Sequence, residues 1–376
     1  MSLPELTSDE LKRYSRHLLL GQVGLKGQRR LKASSVLCVG AGGLGSPVLM
    51  YLAAAGVGRI GLVDFDRVDL TNLQRQILFG TDQVGKAKVT CARERLLSIN
   101  PEINVEIHDF SINSENALDL LESYDVIVDG SDNFPTRYLV NDASVILGKP
   151  NIYGSIFRFE GQVSVYNYQG GPDYRDLYPE PPPPGLVPNC AEAGVLGVLP
   201  GVIGAIQATE TLKVLLDLGD TLSGRLLLYD ALSMQFREVK LLKDSARPPI
   251  TQLIDYQGFC GGPNTEAQTL FHKITVEELQ SRMNEGWKPY VLDVRATHEA
   301  EIARLDFADS LQPHTQVAAI AAQLPKDRDI VVHCKRGGRS AMACATLGEL
   351  GFTRLFNLEG GITAWSERID SSIPKY

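Results

Sequence analysis

Val36-Leu37-Cys38-Val39-Gly40-Ala41-Gly42-Gly43-Leu44-Gly45-Ser46 decides the fold of this 376-residue chain. A short apolar run ends in Gly-x-Gly-x-x-Gly and leads into a helix-forming stretch. Such a turn presents backbone N–H groups to a phosphate at a helix N-terminus, where the helix dipole favours negative charge. A second strand, Arg59 to Asp64, ends in a carboxylate placed to accept from ribose hydroxyls. Up to this point any dinucleotide-binding domain fits. The continuation narrows the choice: Asp64-Phe65-Asp66, then Thr71-Asn72-Leu73-Gln74-Arg75-Gln76, then Lys88. Two cations and a polar loop after the ribose carboxylate suit a triphosphate better than a nicotinamide.

Around this turn, apolar runs at 35–40, 59–64, 104–109 and 124–129 alternate with helical patterns at 8–19, 45–56, 86–98, 114–122 and 134–147. That alternation predicts a parallel sheet covered on both faces, an α/β fold of Rossmann type. Thr7-x-x-Glu10 reads as a capping box at the first helix. From Ser155 to Tyr168 the residues alternate, predicting a hairpin that turns at Glu160-Gly161. A long irregular stretch, 170–189, holds four consecutive prolines, Pro181 to Pro184, which favour an extended strut. Loops of that length more often serve function than merely connect. A helix over about 197–217 and strands Arg225–Tyr229 and Gln235–Leu241 follow.

Length allows two domains. Composition turns polar near Gly261 to Glu266, so the reading is a first domain over 1–262, a linker over 263–272 and a second α/β domain over 273–376. In the latter, Tyr290–Arg295 and Asp329–His333 predict parallel strands. A formal net charge of −8 argues against nucleic-acid or anionic-membrane partners. No signal-peptide pattern opens the sequence. The longest uncharged stretch, Ala193 to Thr209, is interrupted by Pro200 and falls short of the ~20 residues of a spanning helix. Six scattered cysteines without a Cys-x-x-Cys suit a reducing, cytoplasmic compartment.

His333-Cys334-Lys335-Arg336-Gly337-Gly338-Arg339-Ser340 stands between a buried strand and a helix at 341–350. A thiol in that turn meets converging N–H groups, a helix dipole and three cations, Lys335, Arg336 and Arg339, all of which favour the thiolate. Arg339 can close the loop from its far side. Cysteine phosphatases use Cys-x5-Arg; the Cys-x4-Arg spacing here is one residue tighter, suiting a single anionic sulfur over a tetrahedral phosphate. With Asp293-Val294-Arg295 and Gly360-Gly361-Ile362-Thr363-Ala364-Trp365, the loop resembles single-domain rhodaneses. A buried structural cysteine beside a basic turn is the plainer alternative.

A second resemblance spans residues 5 to about 262. Arg13-Tyr14-Ser15-Arg16, the glycine turn, Asp64-Phe65-Asp66, Asn72 to Gln76, Asp129-Gly130-Ser131-Asp132-Asn133 and Glu160-Gly161-Gln162 resemble the E1-like MoeB/ThiF adenylyltransferases. Those enzymes adenylate the C-terminal Gly-Gly carboxylate of ubiquitin-like sulfur carriers with ATP and Mg²⁺. The resemblance implies nucleotide-binding roles for Gly43, Asp64, Thr71, Asn72, Gln74, Arg75, Lys88, Asp132 and Asn133. Lys88 faces the α-phosphate, Arg75 the pyrophosphate from a partner subunit of a homodimer, and Asp132 holds Mg²⁺. Read alone, Lys88 is a solvated helix residue and Asp132 a helix N-cap. Cys190 matches the family's second thiol, although a cysteine before an apolar helix is ordinarily core.

Many relatives bind a structural zinc through two Cys-x-x-Cys pairs. Here the first pair aligns with Asp173-Tyr174-Arg175-Asp176, and only Cys260 remains near the second. No tetrahedral set of thiolates assembles, so zinc is expected to be absent, with packing or an Asp/Arg network holding that edge. The fused pair of domains implies adenylation followed by sulfur transfer from Cys334. A cysteine desulfurase or thiosulfate would supply the sulfur, for molybdopterin, thiamine or tRNA thiolation. The rivals are an NAD-dependent oxidoreductase, which leaves Arg75, Lys88 and Cys334 without a task, a cysteine phosphatase, and a non-catalytic carrier-binding scaffold.

Overall fold

A computed structural model describes residues 3–182, 194–261 and 270–376. The Pro183–Pro184 half of the proline run, Cys190 and most of the expected linker lie outside them. The chain divides into two compact units, Met1–Pro263 and Asn264–Tyr376.

The first unit is built on an eight-stranded sheet. Its strands are β1 (Ser35–Val39), β2 (Arg59–Val63), β3 (Asn104–His108), β4 (Val126–Asp129), β5 (Asn151–Phe157), β6 (Glu160–Tyr166), β7 (Arg225–Asp230) and β8 (Gln235–Lys240). They lie in the order β3-β2-β1-β4-β5-β6-β7-β8. The first five are parallel, and β6 to β8 continue as an antiparallel meander. All five residues of β1 are buried, as a central strand covered on both faces requires. The helices Gly45–Ala55 and Leu199–Leu216 contribute to one apolar core, and Phe134–Ile146 to the other. The reversal of direction at β1 places the loops after β1 and β4 beside one crevice, the usual ligand position in such sheets.

The Thr7–Glu10 capping box forms, but the expected helix over 8–19 breaks into Ser8–Arg13 and Ser15–Leu18. Tyr14 is the reason. It is buried, its hydroxyl accepts from Asn100 Nδ2 at 2.8 Å, and its ring covers Gly56, where a Cβ would come within 2.4 Å of Cζ. A helix at Gly24–Ala33, for which the sequence raised no expectation, follows. The hairpin also departs from expectation. Phe157 pairs with Glu160, so the turn is Arg158-Phe159, with Arg158 at φ 54°. Gly161 belongs to β6 because the Leu199–Leu216 helix crosses it; a Cβ there would meet Ile203 Cδ1 at 2.3 Å.

At the edge where the resemblance places zinc, Asp173 and Asp176 converge on Arg247. Arg247 Nη2 pairs with Asp173 Oδ2 and lies 3.4 Å from Asp176 Oδ1. The backbone N–H of Asp244 donates to the same Asp176 oxygen at 3.1 Å. An ion cluster thus ties segment 244–247 to the one-turn helix at Tyr174–Leu177.

The second unit carries a five-stranded parallel sheet: β9 (His272–Ile274), β10 (Tyr290–Asp293), β11 (Ser310–Leu311), β12 (Ile330–His333) and β13 (Leu355–Leu358). The order is β11-β10-β12-β13-β9. Helices including Gly338–Glu349 and Gly361–Arg368 pack on its faces around two apolar clusters. Among the described residues no helix is long and apolar enough to cross a membrane.

Candidate active sites

In the first unit the site grows from the carboxyl ends of β1, β2 and β4. β1 ends at Val39, and Gly40 turns the chain at φ 93°. The turn is tight enough that a Cβ on Gly45 would lie 2.0 Å from the Gly40 carbonyl oxygen, so only glycine fits at the helix start. β2 delivers Asp64, whose Oδ2 accepts from Ala41 N at 2.8 Å and Oδ1 from Asp66 N at 2.9 Å. The carboxylate therefore braces the glycine turn while each oxygen keeps a lone pair for a further donor. Burial pushes the Asp64 carboxyl up, with Lys88 opposing.

Lys88 opens the helix Lys88–Ile99. Its backbone N–H donates to Asp66 O at 3.0 Å and its Nζ to Asp66 Oδ2 at 2.8 Å. The Lys88 side chain is only 4% exposed whereas that of Asp66 is 53% exposed. It is no solvated surface residue: its cation is held inward on a carboxylate that water reaches.

Thr71 N and Oγ1 both donate to Asp69 Oδ1, and Asn72 Nδ2 donates to Thr71 Oγ1 at 3.3 Å. This one-turn structure carries Gln74 against Gly197 and Arg75 against Gly43. A Cβ built on Gly43 would sit 3.6 Å from Arg75 Cγ and 3.2 Å from Pro200 Cγ. Arg75 Nη1 donates to Thr71 O at 3.2 Å. The aliphatic stem of Arg75 thus lies against the glycine turn of its own chain.

β4 ends at Asp129, which is buried and accepts from Ser131 N and Oγ at 2.9 and 2.6 Å. Asp132 is exposed, and among the described residues no hydrogen bond or ion pair engages its carboxylate. The N-cap of helix Phe134–Ile146 is Asn133, whose Oδ1 accepts from Thr136 N at 3.0 Å. The cap reading suggested for Asp132 therefore belongs to its neighbour. Sequence reasoning passed over Arg137, a buried guanidinium on that helix that donates to Ser131 O at 3.3 Å and faces Asp129. Its spacing of one helical turn from Asn133 was the available signal.

In the second unit Cys334 follows β12 and is 1% exposed. Its Sγ accepts from Gly337 N at 3.1 Å, with Gly337 at φ 99° so that the loop can curl under the sulfur. Ser340 Oγ lies 3.4 Å from Sγ and 3.1 Å from Gly337 O, so its single proton can serve either. The loop is held from below by Ile362 N and Thr363 N, which donate to the carbonyls of Cys334 and Lys335.

The three cations differ in their settings. Arg339 turns to Glu299, donating from Nη1 and Nη2 to its two carboxylate oxygens at 2.5 and 2.7 Å. It stands in the first helical turn after the loop as half of a neutral pair, its guanidinium engaged by Glu299. Burial alone would raise the Glu299 carboxyl; Arg339, Ala296 N and Tyr376 reverse this and hold it at about 2. Lys335 is half-buried and Arg336 exposed. Arg295, fully buried, donates to Asp293 Oδ1 and Oδ2. Burial pushes His333 down to about 4, so it is neutral at pH 7. Cys344 is buried in the helix after the loop, and Cys190 lies outside the described residues.

Comparison with known proteins gives the same pair of modules. The ThiF family matches residues 14–248, and the rhodanese-like domain matches residues 275–368. A probable adenylyltransferase/sulfurtransferase MoeZ of Mycobacterium tuberculosis is 47% identical over 99% of this chain and 96% of its own length. Adenylyltransferase and sulfurtransferase MOCS3 of Aedes aegypti is 42% identical over 99% of this chain and 90% of its own. A sulfur carrier protein adenylyltransferase of Thermus thermophilus is 53% identical over 68% of this chain and 98% of its own. Among solved structures, MccB of E. coli superposes with a TM-score of 0.58 at 23% identity, over 66% of this chain and 76% of that one, a likeness of fold.

Proposed function

Because this chain belongs to the ThiF family, carries a rhodanese-like domain and is an adenylyltransferase and sulfurtransferase, we propose that it activates the C-terminal Gly-Gly carboxylate of a ubiquitin-like sulfur carrier and replaces the adenylate with sulfur. The observation that carries the proposal is the coexistence of two sites in one chain. One is a glycine turn flanked by Asp64, Lys88, Arg75 and Asp132; the other is a cysteine whose sulfur accepts a loop N–H.

Adenylation uses ATP. The carrier carboxylate attacks the α-phosphorus and pyrophosphate leaves, so the protein must place positive charge around the transferring group more than it must move protons. Lys88 meets the α-phosphate, exchanging Asp66 for it, and Arg75 the departing pyrophosphate. Asp64, Thr71, Asn72 and Gln74 line the ribose and phosphate pocket beside Gly43, with Asn133 fixing the start of the next helix. Asp132, exposed and free of hydrogen bonds among the described residues, fits a hydrated Mg²⁺ that would neutralise charge on the phosphates.

Cys334, loaded as a persulfide by a desulfurase or by thiosulfate, attacks the acyl carbon, and AMP leaves with the electron pair of the broken C–O bond. The product is an acyl disulfide. Cys190 or an external reductant then breaks the S–S bond of the acyl disulfide, and the carrier departs as a thiocarboxylate. A homodimer fits the exposed apolar side chains Leu19, Leu20, Leu25 and Tyr51 around the N-terminal helices. Zinc plays no part in the proposal; the ion cluster of Asp173, Asp176 and Arg247 supports that reading.

Intact mass spectrometry of Gly-Gly-ending carriers incubated with the protein, MgATP and thiosulfate tests this. Wild type should add the mass of one sulfur-for-oxygen exchange, and Cys334→Ala should stall at the acyl adenylate. Absence of adenylate with every carrier tried would overturn the proposal.

A further inference from the structure

Tyr376 stands eight residues beyond the Gly361–Arg368 helix, yet its side chain enters the Cys334 loop. Its hydroxyl accepts from Arg295 Nη1 at 2.7 Å and donates to Glu299 Oε1 at 3.3 Å. Its ring centroid lies 4.5 Å from Lys335 Nζ. Arg295 and Glu299 belong to the stretch after β10 and Lys335 to the loop after β12, and the three perform separate tasks. Arg295 is locked on Asp293 and on the Ala303 carbonyl. Glu299 is the clamp on Arg339, in the first turn of the helix after the loop. Lys335 is the residue next to the sulfur. One phenol therefore joins two buried ion pairs and lies against the cation beside the nucleophile.

The segment that brings Tyr376 there is itself fastened. Ser366 Oγ donates to Ile373 O at 2.7 Å, and Ile373 and Tyr376 both pack on the apolar cluster that contains Ile362 and Trp365. The ring is half-buried, so its face offers Lys335 an electrostatic partner in place of bulk water. A lysine held there has lost most of its rotamer freedom before any donor arrives.

We propose that Tyr376 is a positioning residue for sulfur transfer: its ring keeps Lys335 directed at an anionic sulfur donor, and its hydroxyl fixes the carboxylate that clamps Arg339. The proposal rests on the reading of Cys334 as the sulfur-carrying nucleophile. In that reaction Sγ attacks the outer sulfur of thiosulfate, the S–S bond breaks, and sulfite leaves with the electron pair. Cyanide then takes the sulfane sulfur as thiocyanate and Sγ is restored as thiolate. Both donor and leaving group are anions, so a cation held at the loop mouth lowers the cost of their approach.

The full chain is compared with Tyr376→Phe, Tyr376→Leu, Lys335→Gln and the double variant that combines Tyr376→Leu with Lys335→Gln. Two measurements are made: thiosulfate:cyanide sulfurtransferase kinetics, and alkylation of Cys334 by iodoacetate against iodoacetamide, resolved by peptide mass spectrometry. The anionic-to-neutral alkylation ratio reports charge at the loop, whereas simple loosening accelerates both reagents alike. Tyr376→Leu should lower that ratio about threefold and raise KM for thiosulfate in step. Lys335→Gln should lower it at least as much, and the double variant no further. Tyr376→Phe, which keeps the ring, should hold the ratio while reducing kcat about threefold. An unchanged ratio in Tyr376→Leu, or a double variant lower than Lys335→Gln, would overturn the ring's role; an unchanged kcat in Tyr376→Phe would overturn the hydroxyl's. Should Tyr376→Leu fail to fold, a Lys335→Gln ratio equal to wild type still refutes the ring's part, and Tyr376→Phe still decides the hydroxyl's. Absent turnover of thiosulfate by wild type counts instead against the Cys334 reading, and the alkylation ratios remain readable.

Discussion

Replacing Arg247 by Met tests how the edge around Asp173 and Asp176 is held. The perturbation keeps the volume of the side-chain stem and removes its charge. Asp176 is 0% and Asp173 7% exposed at the side chain, so two carboxylates are left in a water-poor site without their cation. Removing one partner of a buried pair costs about 3–5 kcal/mol. The lower end applies here, because only Nη2 of Arg247 reaches the carboxylates while Nε and Nη1 meet no acceptor among the described residues. A loss of about 3 kcal/mol in a unit of 263 residues, with an unfolding entropy of about 2.1 cal/mol/K per residue, lowers the melting temperature by roughly 5 °C. Scanning calorimetry is the assay, since both tryptophans, Trp287 and Trp365, belong to the second unit and leave the first without that fluorescent reporter. The endotherm of the first unit should shift in Arg247→Met and stay fixed in wild type with EDTA. A shift below about 1 °C, or a drop of several degrees in wild type with chelator, would refute the ion-cluster account.

Acid should unfold the second unit before the first, and the sign follows from two groups. His333, held at about 4 instead of 6.5, stays neutral when folded, so its proton uptake on unfolding costs stability as pH falls from 6.5 to about 4. Glu299, held at about 2 instead of 4.5, loses its stabilising charge as pH falls from 4.5 toward 2. Each shift corresponds to about 3 kcal/mol at most, and urea titrations followed by tryptophan fluorescence should show the decline; a flat profile between pH 7 and 4 would remove His333 from the account. Gly45→Ala should abolish ATP binding and destabilise the first unit by about 3 kcal/mol or more, because its Cβ cannot occupy a point 2.0 Å from a carbonyl oxygen; equilibrium binding of a fluorescent ATP analogue measures it, and near-wild-type affinity would mean that the turn relaxes.

Local pattern carried much of the fold. Strand and helix periods depend on neighbours within a few residues, so β1, β2, β4 and the helices after them follow from which positions are apolar. Their alternation puts Gly40, Asp64 and Asp132 at one edge of the sheet, since each follows a parallel strand at its carboxyl end. Where a distant side chain competes, local pattern misleads. The first helix breaks because Tyr14 must reach Gly56 and Asn100. Glu160-Gly161 looks like a turn, yet Gly161 is strand because a helix some 40 residues later needs the space of its missing side chain.

The candidate sites divide in the same way. The sequence by itself determined the pair of α/β units, the glycine turn after β1, and the Cys-x4-Arg spacing of the second loop, because each lies within one strand, turn and helix. Only the tertiary structure decided the partners. Arg75 lies against its own glycine turn, Lys88 rests on Asp66, Asn133 rather than Asp132 caps the helix, and Arg339 is neutralised by Glu299 from 40 residues away. Tyr376 reaches Glu299 across 77 residues. Charge and hydrogen-bond capacity can be read from residue type, but which groups satisfy one another depends on distances that exist only once both sheets have packed.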